Sequence, residues 1–323
     1  MTGGDEPAST GIDAQCGVAT DGFVVQRPDM ALHGFDSSAG EMRYEQRGLG
    51  DPVVLVHGLY VGASRREYRH VITALAPQFT VYAVDLIGFG NSYAPRTTHT
   101  ATMHQHLLRD FLIRVVGGPA RIVCSGIGCG IVSQLAVYDD PLVERVAMIC
   151  PQTRPWAHEQ PHLSERLTQF FMGTLALGAG IYESVSSPMA LREFARSQFA
   201  DPDRVTDLDR IVHDLLEFAH LPASMYAYLS LLNSYFDVDI FRWIRYMRAP
   251  VQVIWGSTLG EPPMDRIHAP AAWSGGRRVD RIDRAGAWAH LERPATVNAA
   301  LLDFLLNPEI DDPQLSDRRP NTF

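Results

Sequence analysis

The chain predicts an α/β fold: a mostly parallel sheet with helices on both faces and a helical lid inserted late. Three observations carry this. Continuous apolar, β-branched runs at 53–56 and 79–86 read as strands buried on both faces. Helical patterns alternate with such strands through the first half of the chain. Residues 151–248 then break the alternation with helical patterns alone. At 323 residues and 46% hydrophobic content, the chain can bury a full core.

In order, residues 1–40 are rich in Gly, Ser, Thr and Asp and read as a flexible leader. The core is expected over 41–150 and 249–306. Its elements are a strand at 42–47, strand 53–56, a helix at 64–76 and strand 79–86. A helix at 103–116, strand 121–125, helix 127–137 and strand 143–150 continue the series. Strands at 251–255 and 278–282 and a helix at 295–306 close it, with the lid at 151–248 and a polar tail at 307–323.

Composition narrows the function classes. The net charge of -9 argues against a nucleic-acid partner, whose binding needs clustered cations. All 28 basic residues are Arg, which removes Schiff-base and P-loop lysine chemistry and fits the coding bias of a GC-rich, actinobacterial genome. Cys16, Cys124, Cys129 and Cys150 follow no zinc or disulfide spacing and read as reduced thiols. The polar, acidic start lacks a signal-peptide pattern, and no apolar run reaches the ~18 residues of a membrane span. A cytoplasmic protein with a small hydrophobic substrate is expected, without membrane insertion; association into a homo-oligomer is left open.

Three segments occur in a telling order: His57-Gly58-Leu59-Tyr60 after one strand, Asp85-Leu86-Ile87-Gly88-Phe89-Gly90-Asn91-Ser92 after the next, and Leu291-Glu292-Arg293-Pro294 before the last helix. Over residues 41–306 the chain thereby resembles the α/β-hydrolase superfamily, which implies an eight-stranded sheet. In that family a nucleophile elbow, G-x-S-x-G, lifts a side chain over the sheet. Here the segment reads Cys124-Ser125-Gly126-Ile127-Gly128, which places Gly126, with no attacking atom, at the nucleophile position. The resemblance places Leu259 where the acid belongs and Ala287 where the base belongs. His290, Glu261 and Asp265 are the nearest substitutes; His290 reads as a structural histidine.

The resemblance also implies an oxyanion hole from the backbone N–H groups of Leu59 and Ile127, which need no side chain, and a structural role for His57. Tyr60, Ser125, Trp288, Tyr182, Tyr226, Tyr228 and Tyr235 are the candidate substrate-pocket residues. Further apolar lid stripes include Phe170-Phe171-Met172, Leu175 and Leu177. His99, His104, His106, His158 and His162 follow no metal-ligand spacing, so no metal is expected; the glycine pairs fall short of G-x-G-x-x-G, so no cofactor is either. A non-hydrolytic enzyme is the expectation, a cyclase or pericyclase closing a ring in a hydrophobic polyketide-like intermediate. The alternatives are a pseudo-hydrolase that binds a hydrophobic ligand or partner, and a hydrolase with relocated residues such as Ser125 and His290.

Overall fold

A computed structural model describes residues 32–152, 175–267 and 276–307. Eight strands form one sheet: β1 (Leu32–Ser37), β2 (Gly40–Arg47), β3 (Asp51–Val56), β4 (Phe79–Val84), β5 (Ala120–Ser125), β6 (Val143–Ile149), β7 (Val251–Gly256) and β8 (Arg277–Ile282). Their spatial order is β1-β2-β4-β3-β5-β6-β7-β8. The β1–β2 and β2–β4 pairings are antiparallel and all others are parallel.

Strand β1 falls inside the stretch read as a leader, so the described core begins at Leu32 rather than near Glu41. It escapes a sequence reading because it lies at the sheet's edge, where only Phe35 of its six residues is buried and the apolar signal is thin. Residues 1–31, with Cys16, and 308–323 lie outside the described residues, as do Phe170, Phe171, Met172, His158 and His162.

Period-two alternation sorts the strand residues between two cores. Val54 and Val56 pack with Leu107, Leu108 and Phe111 of α2 (Ala101–Phe111) and with Ile131, Val132 and Leu135 of α3 (Cys129–Tyr138). Val53 and Leu55 face the other way, onto α1 (Arg69–Leu75) and the helix 294–306. Each such buried aliphatic side chain contributes roughly 1.5–3 kcal/mol relative to exposure. Thr100 caps α2 by accepting from the Met103 N–H, and the helix ends at Phe111 in a π turn stopped by Gly117 at φ 89°.

The lid supplies α4 (Leu175–Val185), α5 (Pro188–Ser197), α6 (Leu208–Ala219), α7 (Ser224–Leu232) and α8 (Ile240–Ile244). Ser187 caps α5, with Pro188 at its first position, and α5 packs on α6 through Leu191, Ala195, Leu208, Ile211 and Leu215. After α9 (Met264–Ile267) and β8 come α10 (Ala289–Glu292) and α11 (Pro294–Leu306). Among the described residues no helix is long and apolar enough to cross a membrane.

The loops at the C-terminal ends of the strands are held by buried polar groups. Strand β4 stops at Val84 because the fully buried Asp85 carboxylate is recruited by the loops around it: it accepts from the Arg65 N–H at 2.7 Å, the Asn91 N–H at 2.9 Å and the Arg65 guanidinium. Gly90, at φ 53°, passes so close that a Cβ there would stand 2.2 Å from the Asp85 carboxyl carbon. His57 Nε2 accepts from the Leu86 N–H at 3.0 Å, which leaves Nδ1–H to donate to the Gly58 carbonyl at 2.7 Å; this neutral tautomer satisfies both nitrogens. The structural role expected of His57 follows.

Replacing Asp85 by Ala removes the direct carboxylate partner of the buried Arg65 guanidinium and leaves it the Asn91 amide oxygen at 3.1 Å and the Glu45 carboxylate 3.9 Å away. Asp85→Ala is expected to lower the unfolding free energy by about 3–5 kcal/mol, read as a lower urea midpoint with an unchanged slope.

Candidate functional site

Parallel register builds the site. Val56 of β3 pairs with Cys124 of β5, so the chain leaves both strands at the same level and the loop 57–60 lies beside the turn at Ser125–Gly126. Ser125 in turn pairs with Ile149 of β6. The turn at Gly126 runs directly into α3, with Gly126 at φ 51° in the left-handed region. A Cβ added to Gly126 would meet nothing within 4 Å, whereas one on Gly128 would stand 2.3 Å from the His57 carbonyl oxygen. Gly128 is therefore needed for close approach of the two loops, while Gly126 opens onto empty space.

That space is a cavity of about 460 Å³, within the usual range for small-molecule sites. Gly58, Leu59, Tyr60, Ser125, Gly126, Ile127, Ala287 and Trp288 form its floor and one wall; Val185, Leu191, Phe194, Tyr228 and Leu231 of the lid close it above. Gln152 and Gln198 are its amide side chains. Trp288 packs edge-on against Phe194 and Phe199 and tilts against Tyr60.

The predicted residues thus divide. Leu59, Tyr60, Ser125, Gly126, Ile127, Tyr228, Ala287 and Trp288 converge on one cavity. Leu259 does not: it is 37% exposed at the end of a short turn after β7. Tyr182 turns its hydroxyl away to the Ala219 carbonyl at 2.7 Å, and Tyr235 is 50% exposed. Tyr226 does not line the cavity either. On α7 the residues 226 and 228 project about 200° apart around the helix axis, so one faces the ligand space only if the other does not. Helical spacing identifies a stripe, and the packing partner decides which part of it lines a cavity.

Glu67 is the residue that sequence reasoning missed. It occupies a 3-10 turn (Arg65–Tyr68) ahead of α1 and is only 5% exposed. Its carboxylate accepts from the Ser125 hydroxyl, from the Tyr60 hydroxyl at 2.5 Å, and from the Gly58 N–H at 3.2 Å to each oxygen. The pattern Ser64-Arg65-Arg66-Glu67 matches a capping box, in which a glutamate reaches back to its own helix start, and that reading conceals it. Ser64 does cap the turn, but the Glu67 side chain crosses to the loop at Gly58 and the end of β5.

His290 contacts Glu67 and does not line the cavity. It is fully buried, its Nε2 is 3.8 Å from Glu67 Oε1, its ring lies 5.5 Å from that of Tyr68, and neither nitrogen has a hydrogen-bond partner. Burial, only partly offset by Glu67, pulls its pKa down to about 4. The Ser125 hydroxyl donates to Glu67 and His290 makes no hydrogen bond to it, unlike a Ser-His-acid triad, where the imidazole touches the hydroxyl. Burial, then the neighbouring Glu67, raises the Tyr60 pKa well above its ordinary value, so Tyr60 stays a hydrogen-bond donor. Cys124, Cys129 and Cys150 are buried free thiols; burial pushes Cys150 up to about 11 and Cys129 upward as well, which makes those two poor thiolates.

Glu292 locks the lid onto this site. Its carboxylate accepts from the Gly286 N–H at 2.8 Å and from the Ala200 and Asp201 N–H groups at 3.1 and 2.9 Å, joining the loop after α5 to the loop carrying Ala287 and Trp288.

A family model described as the alpha/beta hydrolase family matches residues 53–300. The chain belongs to the alpha/beta hydrolase family. A protein from Metapseudomonas resinovorans, a 2-hydroxy-6-oxo-6-(2'-aminophenyl)hexa-2,4-dienoic acid hydrolase, is 24% identical over 288 residues, covering 82% of this chain and 87% of that protein. A 2-hydroxy-6-oxo-6-phenylhexa-2,4-dienoate hydrolase from Rhodococcus sp. strain RHA1 shares the fold with a TM-score of 0.65 at 21% identity, covering 86% of this chain and 99% of that one. The CarC enzyme, a serine hydrolase involved in carbazole degradation, gives 0.68 at 19% identity, with 85% and 98% covered.

The buried histidines set an acid limit on the fold. His104 and His99, like His290, have pKa values lowered chiefly by burial, so the folded chain keeps them neutral while the unfolded chain protonates them below about 6.5. Their stabilisation is fully present above that pH and is lost as pH falls toward the folded values. For His290, at about 4, the loss amounts to about 3 kcal/mol across the window. Urea unfolding at pH 7 and pH 4.5 should show this drop, and His290→Leu should show a smaller one.

Proposed function

We propose that this protein is a non-hydrolytic member of its family, a cyclase or pericyclase that folds a hydrophobic, polyketide-like intermediate into a ring-closing geometry in the cytoplasm. The observation that carries the reading is the glycine at the elbow. The turn that elsewhere in the family presents a nucleophile keeps its left-handed backbone here, but the position holds no attacking atom and opens onto the cavity.

The surroundings support the same reading. Ala287 lines the wall where a catalytic imidazole would enter, and His290 does not line the cavity. The lid contributes aliphatic and aromatic side chains, a surface suited to a largely hydrocarbon ligand. The backbone at Leu59 and Ile127 borders the floor, so N–H groups there would polarise a carbonyl, each worth on the order of 3 kcal/mol where charge develops on oxygen. Holding two reacting ends together adds up to ~7–11 kcal/mol without covalent chemistry. The relatives' names specify oxo-dienoic acids, conjugated carbonyl compounds of the kind such a floor would hold.

Deletion of the gene from its host is expected to accumulate a linear precursor, which the purified protein then converts; an unchanged metabolite profile, with no conversion by the protein, would sink the cyclase reading. A fluorophosphonate probe is expected to leave the protein unlabelled. Gly126→Ser is expected to hydrolyse nitrophenyl acetate no faster than buffer, because among the described residues no imidazole lines the cavity beside the new hydroxyl. Stoichiometric labelling abolished by Ser125→Ala, or esterase turnover by the Gly126 variant, would overturn the non-hydrolytic reading.

A further inference from the structure

Ring closure by positioning alone gives the Glu67 carboxylate no chemical task beyond holding its three donors. Burying a carboxylate costs several kcal/mol before its hydrogen bonds are counted. Its three ties divide unevenly. The Tyr60 hydroxyl holds Oε2, the Gly58 N–H spans both oxygens, and Oε1 is met by the Ser125 hydroxyl. Ser125 is the last residue of β5 and lines the cavity. Its proton is committed to Glu67, so toward the cavity the oxygen offers lone pairs, which is the arrangement of a proton acceptor. Gly58 keeps that approach open: a Cβ there would stand 3.2 Å from Ser125 Oγ and 3.0 Å from Tyr60 Cε1.

We propose that Ser125 and Glu67 form a proton relay that removes a proton from the carbon next to a carbonyl of the bound substrate. The inference rests on the non-hydrolytic reading and names its substrate class, an enolisable ketone or 1,3-dicarbonyl compound. The C–H bond breaks, and its electron pair moves through the adjacent carbon to the carbonyl oxygen, which the N–H groups at Leu59 and Ile127 receive as an enolate. Ser125 Oγ takes the proton and passes its own to Glu67 Oε1. The enolate carbon then bonds to an electrophilic carbon of the same chain, and the proton on Glu67 returns through Ser125 to the oxygen or carbon that gained charge. No oxidant or co-reactant is consumed. Ser125 is the catalytic residue of this step, and Glu67 positions it and stores the proton.

The test separates proton transfer from ring formation by using a probe that cannot cyclise. With 2-tetralone in D₂O, NMR is expected to show the wild-type protein exchanging the C1 protons faster than buffer. Glu67→Gln and Ser125→Ala should each reduce that exchange by about 10²-fold or more, while saturation-transfer NMR still detects bound tetralone and circular dichroism an intact fold. A purely structural role for Glu67 would not divide exchange from binding in this way. Exchange retained in either variant overturns the relay, as does wild-type protein that binds tetralone without exchanging it. That last result leaves ring closure without proton transfer standing, whereas esterase activity in Gly126→Ser removes the reading beneath both.

Discussion

The site depends on satisfying one buried carboxylate. Glu67 lies inside the protein, where an unpaired carboxylate would be untenable, and no cation forms a direct hydrogen bond with it among the described residues. Neutral donors stabilise it instead, from the loop at Gly58 and Tyr60 and from the end of β5 at Ser125. Those segments come from separate parts of the sequence, and the carboxylate fixes their spacing. The backbone at Leu59 and the turn at Gly126 border the cavity in part because Glu67 pulls their neighbours together.

Around this centre, the residues that mark the family act as struts. Asp85 gathers Arg65 and Asn91, His57 bridges two loops in a single tautomer, and Glu292 joins lid to core through three N–H groups. Each is a buried or half-buried acceptor paired with backbone donors that would otherwise lose their hydrogen bonds on burial. Such groups persist for the sake of the fold whatever chemistry the cavity performs. Their hydrogen bonds do not depend on which side chain occupies the turn at Gly126.

The cavity was partly legible in the sequence. Gly126, Ala287, Ser125 and Trp288 could be placed because register in a parallel sheet brings strand ends to one level, and the order of strands and turns is written along the chain. Leu259 could not be placed, since its exposure depends on how the turn after β7 meets the loop at Ala285. The lid tyrosines divide for the same reason: periodicity gives the side of a helix, and only its partner decides whether that side meets ligand space, another helix or water. Edge strand β1 was lost because half-exposed residues carry too weak a pattern.

Taken alone, the sequence determined the α/β class, the order of core elements and the glycine at residue 126. These are properties of local periodicity, of turn residues and of identity at a single position. Tertiary structure alone decided that Glu67 leaves its own helix start to meet Ser125 and Tyr60, and that His290 contacts Glu67 without lining the cavity. A capping-box glutamate has two partners open to it, one local and one distant. The choice rests on which donors are buried without another acceptor, and that is settled when the strands pack side by side.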